Sequence, residues 1–453
     1  MSELPLAWIR TTLGQVVSYA DNETVDPADM PPETWLLELE DIERDSGKVL
    51  ERKTVGARAP KSTKNRFHAG DVLYGKLRPY LNKVVRAGQD GLCSSEIIAI
   101  SPGQLDQNYL FYSMRSPTFI EYVSSASHGM RMPRLGTQQA KSAPFVLPAL
   151  AEQTHIAQKL DELLGKVDTL KARVDSIPTL LKNFRQSVLA AAVSGRLTKG
   201  WRSIARIEEP QVCWRSVKLG ELCTLVTSGS RGWADYYSDT GAVFIRSQDI
   251  STDELVLTDT AFVTLPESSE GKRTKVQTQD IFITITGANV GKVARVKQNL
   301  PEAYVSQHVA LVRLKEQELA TFIELYLKDI SSGRGELTKL AYGGGKPGLN
   351  LSNIRELVLL IPPVDEQAEI IRRVEKLFVL ADQMEANITR AKHRIDRLPQ
   401  SLLSKAFSGE LTADWRTANP DLISGKKSAE ALLEKIKHER EVSQHKHKAR
   451  NKS

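Results

Sequence analysis

Pro148-Ala-Leu-Ala-Glu152-Gln153 and Pro362-Pro-Val-Asp-Glu366-Gln367 open two segments, 148–202 and 362–416, that superpose without a gap at an offset of 214 residues. Asp168 falls on Asp382, Ser194-Gly195 on Ser408-Gly409, Leu197-Thr198 on Leu411-Thr412, and Trp201-Arg202 on Trp415-Arg416. Self-similarity at a fixed offset marks a repeated structural unit.

Both segments carry apolar residues in alternating steps of four and three. The first reads Ile156, Leu160, Leu163, Val167, Leu170, Val174, Ile177, Leu181, Phe184, Val188. The second reads Ile370, Val374, Leu377, Ala381, Met384, Ile388, Ala391, Ile395, Leu398, Leu402. A repeat of 3.5 residues keeps one narrow seam facing a single partner helix, which is coiled-coil patterning. A long amphipathic helix lying on a globular core would show a similar stripe. The charged residues between seam positions, among them Lys159, Asp161, Glu162, Lys166, Lys171 and Arg173, favour a slender, solvated pair. Asp365 is placed to cap the second helix, Glu152 and Glu366 sit near the positive ends of the helix dipoles, and Gly195 and Gly409 are placed as stops. Each helix should run roughly 40 residues, or about 60 Å, with kinks expected at Pro178 and Pro399 because each removes a backbone hydrogen bond.

The repeat extends upstream, where Trp8, Leu13 and Gly14 match Trp214, Leu219 and Gly220 at an offset of 206, so the second copy is longer by about eight residues. Pro133 and Leu135 already match Pro347 and Leu349 at 214. The copies therefore agree at their edges and differ inside. Each interior reads as mixed α/β: strand tracts Asp71-Val-Leu-Tyr-Gly and Glu96-Ile-Ile-Ala-Ile in the first, Asp280-Ile-Phe-Ile-Thr-Ile and His308-Val-Ala-Leu-Val in the second, with short helices near 108–122 and 319–330. The expected fold class is α/β (mixed α+β): globular domains at 1–147 and 201–361, two long antiparallel coiled-coil helices at 148–200 and 362–416, a pseudo-two-fold internal repeat, and a basic tail at 417–453.

At 453 residues two or three domains are expected. Hydrophobic residues at 41% and charged residues at 26% exclude disordered and membrane classes. No apolar run approaches a bilayer span and the first ten residues lack a signal-peptide core, so a cytoplasmic location is expected. Cys93, Cys213 and Cys223 have no metal-ligand spacing and read as reduced thiols. The net charge of +7 hints at a polyanionic partner, but residues 417–453 hold nine Lys/Arg against five Asp/Glu, leaving +3 for the remainder. Charge alone thus does not establish DNA binding. His438, His445 and His447 lie in that tail without a carboxylate or cysteine frame, so no metal is expected.

The paired Glu-Gln helix openings, the helix exits Phe184-Arg-Gln-Ser-Val-Leu-Ala-Ala-Ala-Val-Ser-Gly and Leu402-Leu-Ser-Lys-Ala-Phe-Ser-Gly-Glu-Leu-Thr, and the tract Asp71-Val-Leu-Tyr-Gly-Lys-Leu-Arg-Pro-Tyr together resemble the specificity subunits of type I restriction-modification enzymes along essentially the whole chain. That resemblance implies that 1–147 and 201–361 are target recognition domains, each reading half of a bipartite site on double-stranded DNA, with the helix pair as a ruler between them. It also implies two methylation subunits bringing S-adenosylmethionine, and restriction subunits bringing ATP- and Mg-dependent chemistry; this chain would hold no cofactor. The residues reach part of this independently, since two similar domains on an antiparallel helix pair suit a site read in two inverted halves.

Base reading needs Arg or Lys for guanine and Asn or Gln for adenine, delivered from loops. Candidates in the first domain are Lys76 and Arg78 in Gly75-Lys-Leu-Arg-Pro-Tyr80, and Arg131 and Arg134 in the loop 128–134. Candidates in the second are Lys346 in Tyr342-Gly-Gly-Gly-Lys-Pro, Arg246 and Gln248 in the tract 244–249, and Asn289 in Thr286-Gly-Ala-Asn. Arg131 and Lys346 rank first because both precede the matched prolines. No catalytic residue is expected: the chain has no Asp-Pro-Pro-Tyr-type methyltransferase tetrapeptide and no Gly-x-x-x-x-Gly-Lys-Ser/Thr loop, and Gly343-Gly-Gly-Lys-Pro-Gly lacks the hydroxyl that would hold magnesium. Two other readings remain, a self-sufficient restriction or modification enzyme and a coiled-coil scaffold that binds only protein.

Overall fold

A computed structural model of the chain describes residues 4–126, 132–205, 209–265, 273–342 and 348–450. It divides into two compact units, Met1–Val174 with Arg390–Ser453, and Asp175–Thr389.

Two 44-residue helices, Leu150–Val193 and Val364–Phe407, contribute to both units. Helical backbone continues through Pro178 and Pro399 where kinks were expected. Asp365 falls inside the first turn rather than at its cap, beside Glu366, because the helix starts at Val364. Gly195 and Gly409 end the helices in left-handed backbone (φ 73° and 83°), a conformation that glycine adopts without steric cost. Within each unit the helices run antiparallel. In the first, Lys171 pairs with Asp396 at 3.1 Å, and Ile156 and Leu160 share a core with Leu403 and Phe407. In the second, Arg185 pairs with Asp382 at 2.6 Å, and Val188 and Ala192 share a core with Ile370 and Val374.

Ile156, Leu160, Val167, Ile370 and Val374 are buried seam residues, Leu163, Leu377 and Ile388 are half-buried, and Leu170 and Met384 are 45% exposed. The last two depart from the expected seam because a bare helix pair covers a narrow stripe, whereas near its ends the globular parts add cover.

Each unit is framed by one antiparallel pair: Ile9–Thr12 with Pro144–Leu147, and Arg215–Lys218 with Val358–Ile361. Inside the first unit, strands Val84–Arg86, Val72–Gly75 and Ile97–Ile100 form one sheet. Thr24–Val25, Lys64–Phe67, Gly91–Cys93, Trp35–Leu37 and Lys53–Thr54 form another. The second unit has Cys223–Ser228, Val309–Leu314, Ile281–Thr284 and Val293–Arg295 in one sheet, and Tyr237–Ser238, Ala261–Val263, Ala242–Ile245 and Ala303–Val305 in the other. All pairings are antiparallel except Trp35–Leu37 with Gly91–Cys93 and Ala242–Ile245 with Ala303–Val305.

The unbroken apolar runs have a simple cause. Val72 and Tyr74 face one core and Leu73 another; Ile281 and Ile283 face one core and Phe282 another. With both faces covered, the period-two alternation of a strand leaves no polar position.

The tail is a helix, Ala429–Arg450, whose Leu432 and Ile436 join the first unit's core while Arg440 donates to the carbonyls of Gly14 and Val17 at 2.6 and 3.2 Å. Among the described residues no cluster of His, Cys, Asp or Glu could hold a metal, and no helix is long and apolar enough to cross a membrane.

Candidate nucleic-acid interface

Each unit holds a buried junction built from repeat-matched residues. In the first unit the Glu152 carboxylate, wholly buried, accepts from the Trp8 indole at 2.8 Å, from Thr412 Oγ1 at 2.8 Å and from Arg416 Nε at 2.9 Å. In the second, wholly buried Glu366 accepts from the Trp214 indole at 2.9 Å, from Thr198 Oγ1 at 2.6 Å and from the Arg202 guanidinium. Gln153 and Gln367 each donate to the carbonyl of the proline that opens the segment, at 3.0 and 2.8 Å. A buried charge must be paired and its remaining lone pairs satisfied, and a Trp, a Thr and an Arg accomplish that in each unit. The exit of one long helix therefore closes on the opening of the other. The glycine stops belong to the same construction: a Cβ at Gly195 would come within 2.4 Å of Pro210 and one at Gly409 within 2.3 Å of Pro5.

In the first unit the tracts 76–80 and 132–135 meet. Arg78 N–H donates to the Pro133 carbonyl at 2.7 Å, Leu135 N–H donates to the Lys76 carbonyl at 2.9 Å, and Leu77 bridges to Arg134. Arg78 is exposed in left-handed backbone (φ 51°), and Lys76 is half-exposed with no ion-pair partner among the described residues. Arg134 is gripped by both oxygens of Glu96, at 3.1 and 2.9 Å, and its side chain is still 54% exposed. A guanidinium held along one edge keeps its outer edge for a second acceptor.

In the second unit the tracts 246–249 and 286–289 meet, with Tyr342 and Gly348 beside the latter. Asn289 donates to the Ser247 carbonyl at 3.3 Å, Thr286 and Tyr342 both bridge to Gly348, and Leu349 N–H donates to the Ile285 carbonyl at 2.8 Å. Arg246 is committed internally. It pairs with Asp249 at 3.1 Å and with Asp259 at 3.4 Å, and the hydrogen bond it donates to Asp249 raises its pKa. Gln248 is exposed, and its amide oxygen turns to accept from Arg246 at 3.1 Å. Arg131 and Lys346, ranked first from sequence, lie outside the described residues.

Sequence reasoning missed Glu96 and the pair Gln307-His308. Lys76 N–H donates to the Glu96 carbonyl and Ile285 N–H to the His308 carbonyl, both at 2.9 Å, so the two residues hold the same frame position in their units. There the first unit sets Glu96 with Arg134, while the second sets His308 against Thr286 and Gln307. Glu96 and His308 each head one of the apolar strand tracts legible in the sequence, a signal that could have singled them out.

Residues 211–391 match the family described as Type I restriction modification DNA specificity domain. The chain is 37% identical over 355 residues to the EcoKI specificity subunit of Escherichia coli strain K12, covering 76% of this chain and 74% of that protein. It is 36% identical over 354 residues to the StySPI specificity subunit of Salmonella potsdam, covering 77% and 75%. Among solved structures, the HsdS subunit from Thermoanaerobacter tengcongensis aligns with a TM-score of 0.59 at 21% identity over 90% of this chain and 98% of that one. A chain from a structure of type I R-M complex assembly and conformational transition aligns with a TM-score of 0.65 at 19% identity, over 90% and 100%.

Proposed function

The chain belongs to the family of type I restriction enzyme specificity subunits, and from that premise we propose that its two units read the two unlike halves of one interrupted DNA site. As a specificity subunit it is the DNA-recognising, non-catalytic member of a type I restriction-modification system, working with methylation and restriction subunits. The further reading is that 1–147 and 201–361 act as target recognition domains with an approximate two-fold relation. The long helices at 148–200 and 362–416 set the gap and carry two methylation subunits, and 417–453 is an added basic tail. S-adenosylmethionine, ATP and magnesium would sit on the partners.

The observation that carries this reading is a contrast. Trp8, Glu152, Thr412 and Arg416 make the same contacts as Trp214, Glu366, Thr198 and Arg202, yet the candidate loops offer an Arg–Glu pair in one unit and a Gln-His pair in the other. Like frames bearing unlike donors are what an asymmetric bipartite target requires.

The test is duplex retardation by the chain assembled with its methylation subunits, at fixed salt because phosphate contacts make affinity salt-dependent. Scrambling either half of the site, or changing the gap by one base pair, should each weaken binding by about ten-fold or more. Cleavage or methyl transfer by the purified chain alone would establish the self-sufficient enzyme, and a complex with no sequence preference the protein-only scaffold.

A further inference from the structure

Gln307 and His308 are both exposed, and they sit on a turn whose backbone is held from several sides. Ser306 N–H donates to the Ile245 carbonyl at 2.9 Å, Gly229 N–H donates to the Ser306 carbonyl at 3.3 Å, and Val309 N–H returns to that carbonyl at 3.0 Å. The loop at Gly229 presses so closely that a Cβ there would stand 2.1 Å from the Val305 carbonyl oxygen and 2.8 Å from Gln307 N. The side chains above are linked in a row: the Gln307 amide lies 3.2 Å from His308 Nε2, and His308 Nδ1 meets Thr286 Oγ1. One tautomer satisfies both bonds. The Gln307 NH2 donates to Nε2, and the proton on Nδ1 is given to the threonine oxygen.

That arrangement leaves Gln307 with its carbonyl oxygen and one amide hydrogen uncommitted among the described residues, side by side on a fixed support. An adjacent acceptor and donor are the complement of adenine, whose N6 amino group donates and whose N7 accepts on the major-groove edge. We propose that Gln307 is a base-reading residue of the second unit, specific for adenine, with His308 and Thr286 as the positioning residues that hold its amide in register. This rests on the reading of the second unit as a DNA reader and goes beyond it by naming the residue and the base. An amide pinned by a neighbour has already lost the rotamer freedom that binding would otherwise remove, so discrimination gains from the support.

The experiment is selection of bound duplexes from a random-sequence pool by the assembled complex, with the recovered motif as readout. The wild-type complex should recover one interrupted motif with an adenine in one half that Gln307→Ala relaxes by about ten-fold, leaving the other half unchanged. Gln307→Glu, which keeps size and shape, should move that position toward cytosine, whose N4 donates to a carboxylate. His308→Ala should soften the same position alone, with the melting temperature of the complex unchanged. An unaltered motif in both Gln307 variants overturns the assignment, as does equal weakening of both halves, which marks a general phosphate contact. A wild-type complex that recovers no motif removes the DNA-reading function and this assignment together.

Discussion

Glu366 and Glu152 are fully buried carboxylates whose partners come from two stretches of chain remote from each of them. Removing one such carboxylate takes away a guanidinium's buried partner, and Arg202, 3% exposed, would keep only the exposed Glu209 at 3.3 Å, so that cost is on the order of 3–5 kcal/mol. Glu366→Ala should therefore lower stability by about that amount in urea unfolding, while Trp214→Phe, which loses one bond to a charged acceptor, should cost about 1.5–3 kcal/mol. Equal effects from Glu366→Ala and a surface change such as Glu385→Ala would contradict the junction. A second residue gives a pH signature. Hydrogen bonding from Arg372 pulls the Glu369 carboxyl down to about 2. The folded value lies below the unfolded value of about 4.3. Its contribution is therefore present above about pH 4.3 and is lost as pH falls toward about 2. Carboxyl NMR should find Glu369 still ionised at pH 3.5, and midpoint titration near 4.3 would contradict the contact. At this scale the sequence displayed the matched Trp, Glu, Thr and Arg types plainly. It did not display that Thr198 and Arg202 close on Glu366 rather than on Glu152, because an offset records likeness and not proximity. The ion pairs of Arg246 were hidden for a related reason: Asp249 follows at i+3, but Asp259 is thirteen residues on and meets it only in the folded chain.

The long helices were the most legible elements, since a 3.5-residue stripe sustained over ten positions has few structural solutions. Their seam is unequal along its length, and substitutions should report that. Ile156→Ala, at a wholly buried position, should cost about 2–5 kcal/mol, whereas Leu170→Ala, 45% exposed, should cost less than about 1 kcal/mol. Comparable losses at the two positions, measured by urea midpoints, would show that the seam is evenly packed. The tail was legible as a basic segment, and it holds the helix Ala429–Arg450. Its docking through Leu432, Ile436 and Arg440 was not, because two apolar residues four apart do not say which surface they cover.

For the whole molecule, the two long helices could be read from the repeat, and the short strands from their apolar runs. Sheet order could not, because pairings such as Ile9 with Leu147 or Arg215 with Ile361 join residues far apart in sequence. Nor could the way loops converge, since Arg78 meets Pro133 and Thr286 meets Gly348 only once the sheets have formed. The account turns on two unlike readers held at one distance by a shared scaffold. Mapping methylated adenines across a host genome, with and without this chain, tests that most directly. The account predicts one motif that disappears with the chain, composed of two different halves across a gap of constant length. A continuous motif, two identical halves, or a gap that varies from site to site would contradict it.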